Sequence, residues 1–382
     1  MKRAACHLAK VALLSLAPVA FPSSAAAQSI FDAEFRLAPQ WVQYQIHAPA
    51  SETVSELAIP VFVSVPAGSR LSVDVGTAYA RAHVTTGAEH SDISGLTDVQ
   101  LRAQYTLGSD LVVLTGGVSL PTGNSSVSLE QLTAASRIGS DFLAFPVSNM
   151  GTGLAVTGGA AFAYPLGDWN IGAGASVRRS HAYEPFDVPG QSFRYQPGNE
   201  LRLRLGIDRP VADGRLALGA TYAAFGRDDA AGSAYNTGDR LIALGSLTGR
   251  LGEHDYTVAA YNVFRAPGNY ASGDRAGREN IANLFLSLGM HTLGTLVEPS
   301  LELRHWAQSV YGADDPTGSA RSQNSGLATL GLRARIEAPG FELFPSAGYT
   351  AFGRLATTDD AGLPVKASLT GFQLGLVMRA SH

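Results

Sequence analysis

Arginines recur at every second position in several apolar segments of this 382-residue chain, and acids and amides share their spacing. In 199–207, Arg202 and Arg204 alternate with Leu201, Leu203, Leu205 and Ile207; in 327–336, Arg333 and Arg335 alternate with Leu330, Leu332, Ala334 and Ile336. A period of two puts the charged set on one face of an extended strand and the apolar set on the other. Carried along the chain, the pattern collects Asp98, Gln100, Arg102, Gln104, Arg178, Arg202, Arg204, Arg240, Arg250, Glu298, Glu302, Arg304, Arg333 and Arg335 on one face. A guanidinium group is permanently charged and grips carboxylates through a planar fork. Arginines in excess would therefore attract anions, whereas arginines matched by acids would pair with them and stiffen the face.

Two other groups of residues invite a chemical reading. Asp228 and Asp229 with Gly232, Asp314 and Asp315 with Gly318, and Asp359 and Asp360 with Gly362 repeat one short pattern. Clustered carboxylates suit divalent cations that bridge acidic glycolipids, and the same residues are ordinary turn formers. Histidines 47, 83, 90, 181, 254, 291 and 305 are scattered, and no segment joins a nucleophile to a base. Neither catalysis, a metal site nor a cofactor is expected.

These side chains need strands to carry them. The segment 95–107 alternates Val99, Leu101, Ala103, Tyr105 and Leu107 with Asp98, Gln100, Arg102, Gln104 and Thr106. Similar segments follow to the end, joined by connectors that read short and long in turn: 67–69, 108–110 and 165–168 are short, while 83–94, 121–151 and 181–198 are long. A sandwich with Greek-key crossings has no reason to keep that order, but a membrane barrel with short turns at one end and long loops at the other does. The expected fold is therefore all-β: a transmembrane antiparallel up-and-down barrel of about sixteen strands over 40–382, with fourteen strands and an N-terminal plug segment as the alternative. Its leucines would face lipid and its arginines the lumen. Trp169, Tyr256 and Phe341 after short turns, and Tyr79, Tyr222, Phe225, Trp306 and Phe352 before long loops, suggest two aromatic girdles.

Lys2, Arg3 and Lys10 precede the apolar run 11–21, and Ala25-Ala26-Ala27 resembles a cleavage site, so 1–27 reads as a secretory signal peptide and 28–39 as a periplasmic segment. Its loss removes three basic residues and no acid, moving the formal net charge from −4 to −7, which disfavours nucleic acid as a partner. Cys6 would leave with it, and Lys366 would be the only remaining lysine. The longest connector, 121–151, carries near-helical spacing at Leu129, Leu132 and Ala135. Folded inward, it would form a constriction loop presenting Leu129, Gln131, Leu132 and Arg137; a helix on the outer rim is the alternative.

Gly95-Leu96-Thr97-Asp98 leading into one strand and Leu120-Pro121-Thr122-Gly123 closing the next, with Ile59-Pro60-Val61 before them, resemble outer-membrane proteins of the phenol meta-degradation pathway type. The resemblance covers the first third of the chain. It implies a porin-like outer-membrane transporter for passive or facilitated passage of small organic solutes, aromatic ones included. The arginine face adds carboxylated solutes to that expectation, and outer-membrane lipid, lipopolysaccharide and the barrel-assembly machinery are the expected partners. The last residues, Val377 to His382, lack the terminal aromatic such barrels carry, while Gln373, Gly375 and Met378 keep part of its spacing. A non-conducting surface barrel is the alternative from another class.

Overall fold

A computed structural model of the chain describes residues 33–47, 50–108, 111–272, 274–292, 294–311, 321–358 and 364–381. The expected leader, Asp314, Asp315, Asp359 and Asp360 lie outside them. Eighteen extended segments form one antiparallel sheet, and two pairs of segments are halves of interrupted strands, so the barrel has sixteen strands. In chain order they are β1 (Glu34–Leu37 with Gln40–His47), β2 (Ser51–Pro66), β3 (Leu71–Thr86), β4 (Glu89–Leu96 with Val99–Leu107), β5 (Val112–Leu120), β6 (Ala155–Leu166), β7 (Trp169–Ser180) and β8 (Glu200–Val211). There follow β9 (Gly214–Phe225), β10 (Arg240–Leu251), β11 (His254–Arg265), β12 (Glu279–Thr292), β13 (Thr295–Val310), β14 (Arg321–Ala338), β15 (Phe341–Thr358) and β16 (Pro364–Ser381). Each pairs with its sequence neighbours, and β16 closes on β1 with Gly375 opposite Gln40 and Ser381 opposite Glu34.

Closure matters because hydrocarbon offers backbone amides no partner, so a spanning sheet must have no free edge. The outward faces are apolar and bare: Leu205 is 65% exposed, Leu330 58% and Phe352 78%. Strands β6 to β11 each have 12 residues. At about 3.4 Å per residue and a tilt of about 45°, they span about 29 Å, the thickness of a bilayer core. The molecule is a transmembrane β-barrel.

Two expectations need correction. The first strand starts at Glu34, and Glu34–Leu37 pairs with both β16 and β2, so these residues belong to the wall. The stretch 83–94 is not a loop: β3 runs to Thr86, β4 starts at Glu89, and a two-residue turn joins them through Gly87 at φ 61°. His83, Thr85, His90 and Asp92 made it look like a connector. Their alternating partners Ala82, Val84, Ser91 and Ile93 are all buried inside the barrel. Long and short connectors therefore do not alternate strictly. Among the expected girdle aromatics, Phe225 and Trp306 face inward: Trp306 Nε1 donates to Glu279 Oε1 at 2.5 Å, and Arg240 lies 5.8 Å from the Phe225 ring.

The half-strand Glu89–Leu96 pairs only with β3, because β5 ends level with Val99. Its other edge is covered by the segment 121–153, which holds a short helix, α1 (Leu132–Ile138). That segment enters the barrel and builds a core there. Ala134, Ile138, Phe142, Leu143, Phe145, Val147 and Met150 pack against Tyr44, Val54, Ala58, Ala80, Ala82, Val84, Ile93, Leu327 and Leu369, all buried. Alanines on β2 and β3 leave it room. At about 1.5–3 kcal/mol for each large apolar side chain buried, this core holds the segment in place.

Candidate functional site

The inserted segment is fixed at its neck before it is fixed at its tip. The Asp98 carboxylate, 6% exposed, accepts the Gly123 amide at 3.0 Å and the Thr152 amide at 2.7 Å, so one side chain ties both ends together. Thr97 Oγ1 accepts the Ala78 amide and Thr122 Oγ1 the Val99 amide, filling the break between the halves of β4. A Cβ on Gly123 would stand 2.2 Å from the Met150 carbonyl oxygen, so no other residue fits there. The Thr97-Asp98 and Thr122-Gly123 motifs are thus one latch, and Asp98 belongs to it rather than to an open lumen wall.

Further in, four groups on the wall hold the segment. Arg137 makes a bidentate pair with Glu52, at 2.6 and 2.7 Å. Glu56, fully buried, accepts the Val147 amide at 2.9 Å. Tyr44 donates to the Leu143 carbonyl at 3.3 Å, and Arg304 Nη1 to the Phe142 carbonyl at 2.6 Å. The deepest part is therefore 141–147, not the helix. Leu129 and Leu132 are 67% and 44% exposed and do not anchor it, and Gln131 caps the helix entry by accepting the Ser128 amide. Residues Leu129–Gln131 form a 3₁₀ turn. Its tighter winding shifts the buried face from the expected Leu129, Leu132 and Ala135 to Ala134 and Ile138.

The segment fills one side of the lumen, against β1 to β4 and β13 to β16. Away from it, the inward faces of β5 and β6 and the middle of β7 carry small residues, among them Thr115, Gly117, Thr157, Gly159, Gly174 and Ser176, and β8 and β9 add Gly206 and Gly219 beside charged side chains. Arginines frame this clear wall. Arg102 on β4 and its strand neighbour Gln100 face inward yet are exposed. Gln104 is drawn to Asp74 at 3.0 Å. Arg178 stands opposite Glu200 in register, but Glu200 pairs with Arg202. Arg204 shares the inward face of β8 with Arg202, and its buried Nε has no hydrogen-bond partner. Among the described residues, Arg102, Arg178, Arg204 and Arg240 make no ion pair with a carboxylate.

The remaining arginines of the expected ladder are matched. Arg250 pairs with Asp255, Arg333 with Glu298, Arg335 with Glu342 and Glu337, and Arg304 with Glu302, which also accepts Asn283. Both chemical uses of the ladder are therefore present, on different arcs of the barrel.

At the long-loop end, residues Tyr195–Gln196, Asp228–Ala230 and Ser233–Tyr235 form a small sheet. Asp228, 5% exposed, accepts Tyr195 Oη at 3.1 Å and the Gly198 amide at 2.6 Å; Asp229 accepts the Gly232 amide at 3.0 Å. These two aspartates serve the loops' own hydrogen bonds, the turn-forming use of the pattern. Burial, with Tyr235 and Asp228 beside it, raises the Tyr195 phenol above its usual range.

The anchors Tyr44, Glu52, Glu56, Phe142, Leu143 and Phe145 escaped the sequence reading. The apolar run Phe142-Leu143-Ala144-Phe145 inside an otherwise polar connector was the available signal, since such a run seldom stays in water.

No protein-family model matches the chain, and no curated protein matches it in sequence. Solved structures similar to it include an outer membrane channel from Pseudomonas putida F1, 13% identical with a TM-score of 0.39 over 95% of this chain and 100% of that one. The outer membrane protein opdK from Pseudomonas aeruginosa is 10% identical, with a TM-score of 0.43 over 92% of this chain and 99% of that one. A loop L8 deletion mutant of OmpT, an outer membrane protein of Vibrio cholerae, is 11% identical, with a TM-score of 0.43 over 91% and 98% of the two chains.

Proposed function

We propose that the protein is an outer-membrane channel for small organic solutes, with a preference for carboxylated and aromatic compounds. One observation supports this above others: the inserted segment packs against half of the lumen wall and leaves the opposite arc lined with glycine, serine and threonine between exposed or unmatched arginines. A barrel whose only task was structural would gain stability by filling that arc. A channel needs it clear. On this reading, outer-membrane lipid and lipopolysaccharide surround the apolar belt, and the barrel-assembly machinery inserts the chain.

Planar-bilayer recording on the refolded barrel tests the reading. Discrete conductance steps with a reversal potential favouring chloride over potassium are expected, because unmatched arginines raise the local concentration of anions. Silent membranes over a wide voltage range, with the barrel shown to be inserted, would reject transport.

A further inference from the structure

We propose that the bay between β4 and β8 binds small organic dianions, foremost dicarboxylates, one end on Arg102 and the other on Arg204 and Arg178. The inference rests on the channel reading and narrows its solute. Four inter-strand gaps of about 4.8 Å separate the backbones of β4 and β8, about 19 Å in all. The floor between them carries no side chain on β6 and β7 larger than threonine at the facing positions Thr157, Gly159, Gly174 and Ser176. Arg102 stands in one row with Gly117, Thr157 and Arg178, and Arg204 lies opposite Gly174 farther along β8, so long guanidinium side chains border that floor on both sides.

Two carboxylates lie in register with these arginines and both are engaged elsewhere: Arg202 takes Glu200, and Ser64 and Gln104 hold Asp74, opposite Arg102, at 2.8 and 3.0 Å. Arg102, Arg178 and Arg204 thus converge without a counter-charge in contact among the described residues, and the Arg204 Nε is buried without an acceptor. A single carboxylate answers one side of the bay and leaves the other unmatched. Two carboxylates separated by a short carbon chain answer both, through charge-assisted and bidentate bonds. The flat floor lets such a solute lie against the wall.

The test uses the full barrel in planar bilayers at pH 7, with succinate, acetate, benzoate and inorganic phosphate each added to block the chloride current. Succinate should block at a concentration about tenfold below acetate or benzoate, the factor for one additional net ion-pair contact of about 1.4 kcal/mol. Arg102→Gln and Arg204→Gln should each erase most of that difference, Arg204→Lys should keep part of it, and Arg250→Gln, at a matched pair near a short turn, should leave it unchanged. Equilibrium dialysis of labelled succinate against the detergent-solubilised barrel gives the same ranking without conductance. Acetate or benzoate equal to succinate would overturn the two-ended site, as would phosphate blocking as well as succinate, since phosphate cannot span the bay. A barrel that conducts chloride but ignores succinate defeats this inference alone, whereas one that neither conducts nor binds defeats the channel reading with it.

Discussion

Asp98 has one carboxylate with which to hold two backbone amides, those of Gly123 and Thr152, and both belong to a segment that enters the barrel. Hydrogen bonds to a charged acceptor contribute about 1.5–3 kcal/mol each. Asp98→Asn keeps the size and loses the charge, so that one of the two amides faces an NH2 donor and loses its acceptor while the other keeps a weaker, neutral one. The neck of 121–153 should open more often while the sixteen-strand wall stays closed. Limited proteolysis checks this: cleavage within 121–151 should rise about 10- to 100-fold in the variant, since a cut in a transiently open segment follows its open population. An unchanged cleavage rate would mean that the neck is held by other groups. Gly123 belongs to the same device, since any side chain there would collide with the Met150 carbonyl.

At the scale of elements, the inserted segment is a small soluble core placed inside a membrane barrel, and its stability comes from Phe142, Leu143 and Phe145 rather than from its seven-residue helix. Replacing a buried Phe by Ala costs about 3–5 kcal/mol. Phe142→Ala with Phe145→Ala should therefore release the tip and raise single-channel conductance, with the heat-modifiable migration of the intact barrel as the folding control. Conductance equal to that of the parent would show that the tip does not border the permeation path. Strands β6 to β16 were legible because alternation needs only lipid on one side. Trp169 and Phe341 begin their strands directly after short turns, where the sequence reading has them. What escaped was the stretch of wall where β3 meets β4 under the inserted segment. There, inward positions of β3 and β4 such as Ala82, Val84, Ser91 and Ile93 bury against protein instead of water. Both faces then lose the polar-inside signature, and 83–94 passes for a loop. The arginines were equally visible from their spacing, but which of them meet a carboxylate depends on contacts between strands, as with Arg304, whose partners are Glu302 and the Phe142 carbonyl.

The whole molecule is asymmetric about its axis: one arc is long-stranded and packed within, the other short-stranded and clear. Strands β2 and β3 have 16 residues and β14 to β16 have 18, against 12 in β6 to β11. This makes the long arc the scaffold for the inserted segment and the short arc the wall that solutes touch. The assignment of faces on which this depends can be checked with the three tryptophans. Trp41 pairs in register with Leu57 and Leu374, and Trp169 with Leu166, so both face the bilayer side, Trp169 with Arg209 4.9 Å from its ring. Trp306 faces inward, bonded to Glu279 and 6.1 Å from the Phe142 ring. In single-tryptophan variants with phenylalanine at the other two positions, brominated lipid should quench Trp41 and Trp169 and spare Trp306, because the quencher acts only at close range from within the bilayer. Quenching of Trp306 to the same extent would reverse the faces. Arg102 and Arg204 share the inward phase with Trp306 across the register, so the arginine-framed bay stands or falls with that measurement.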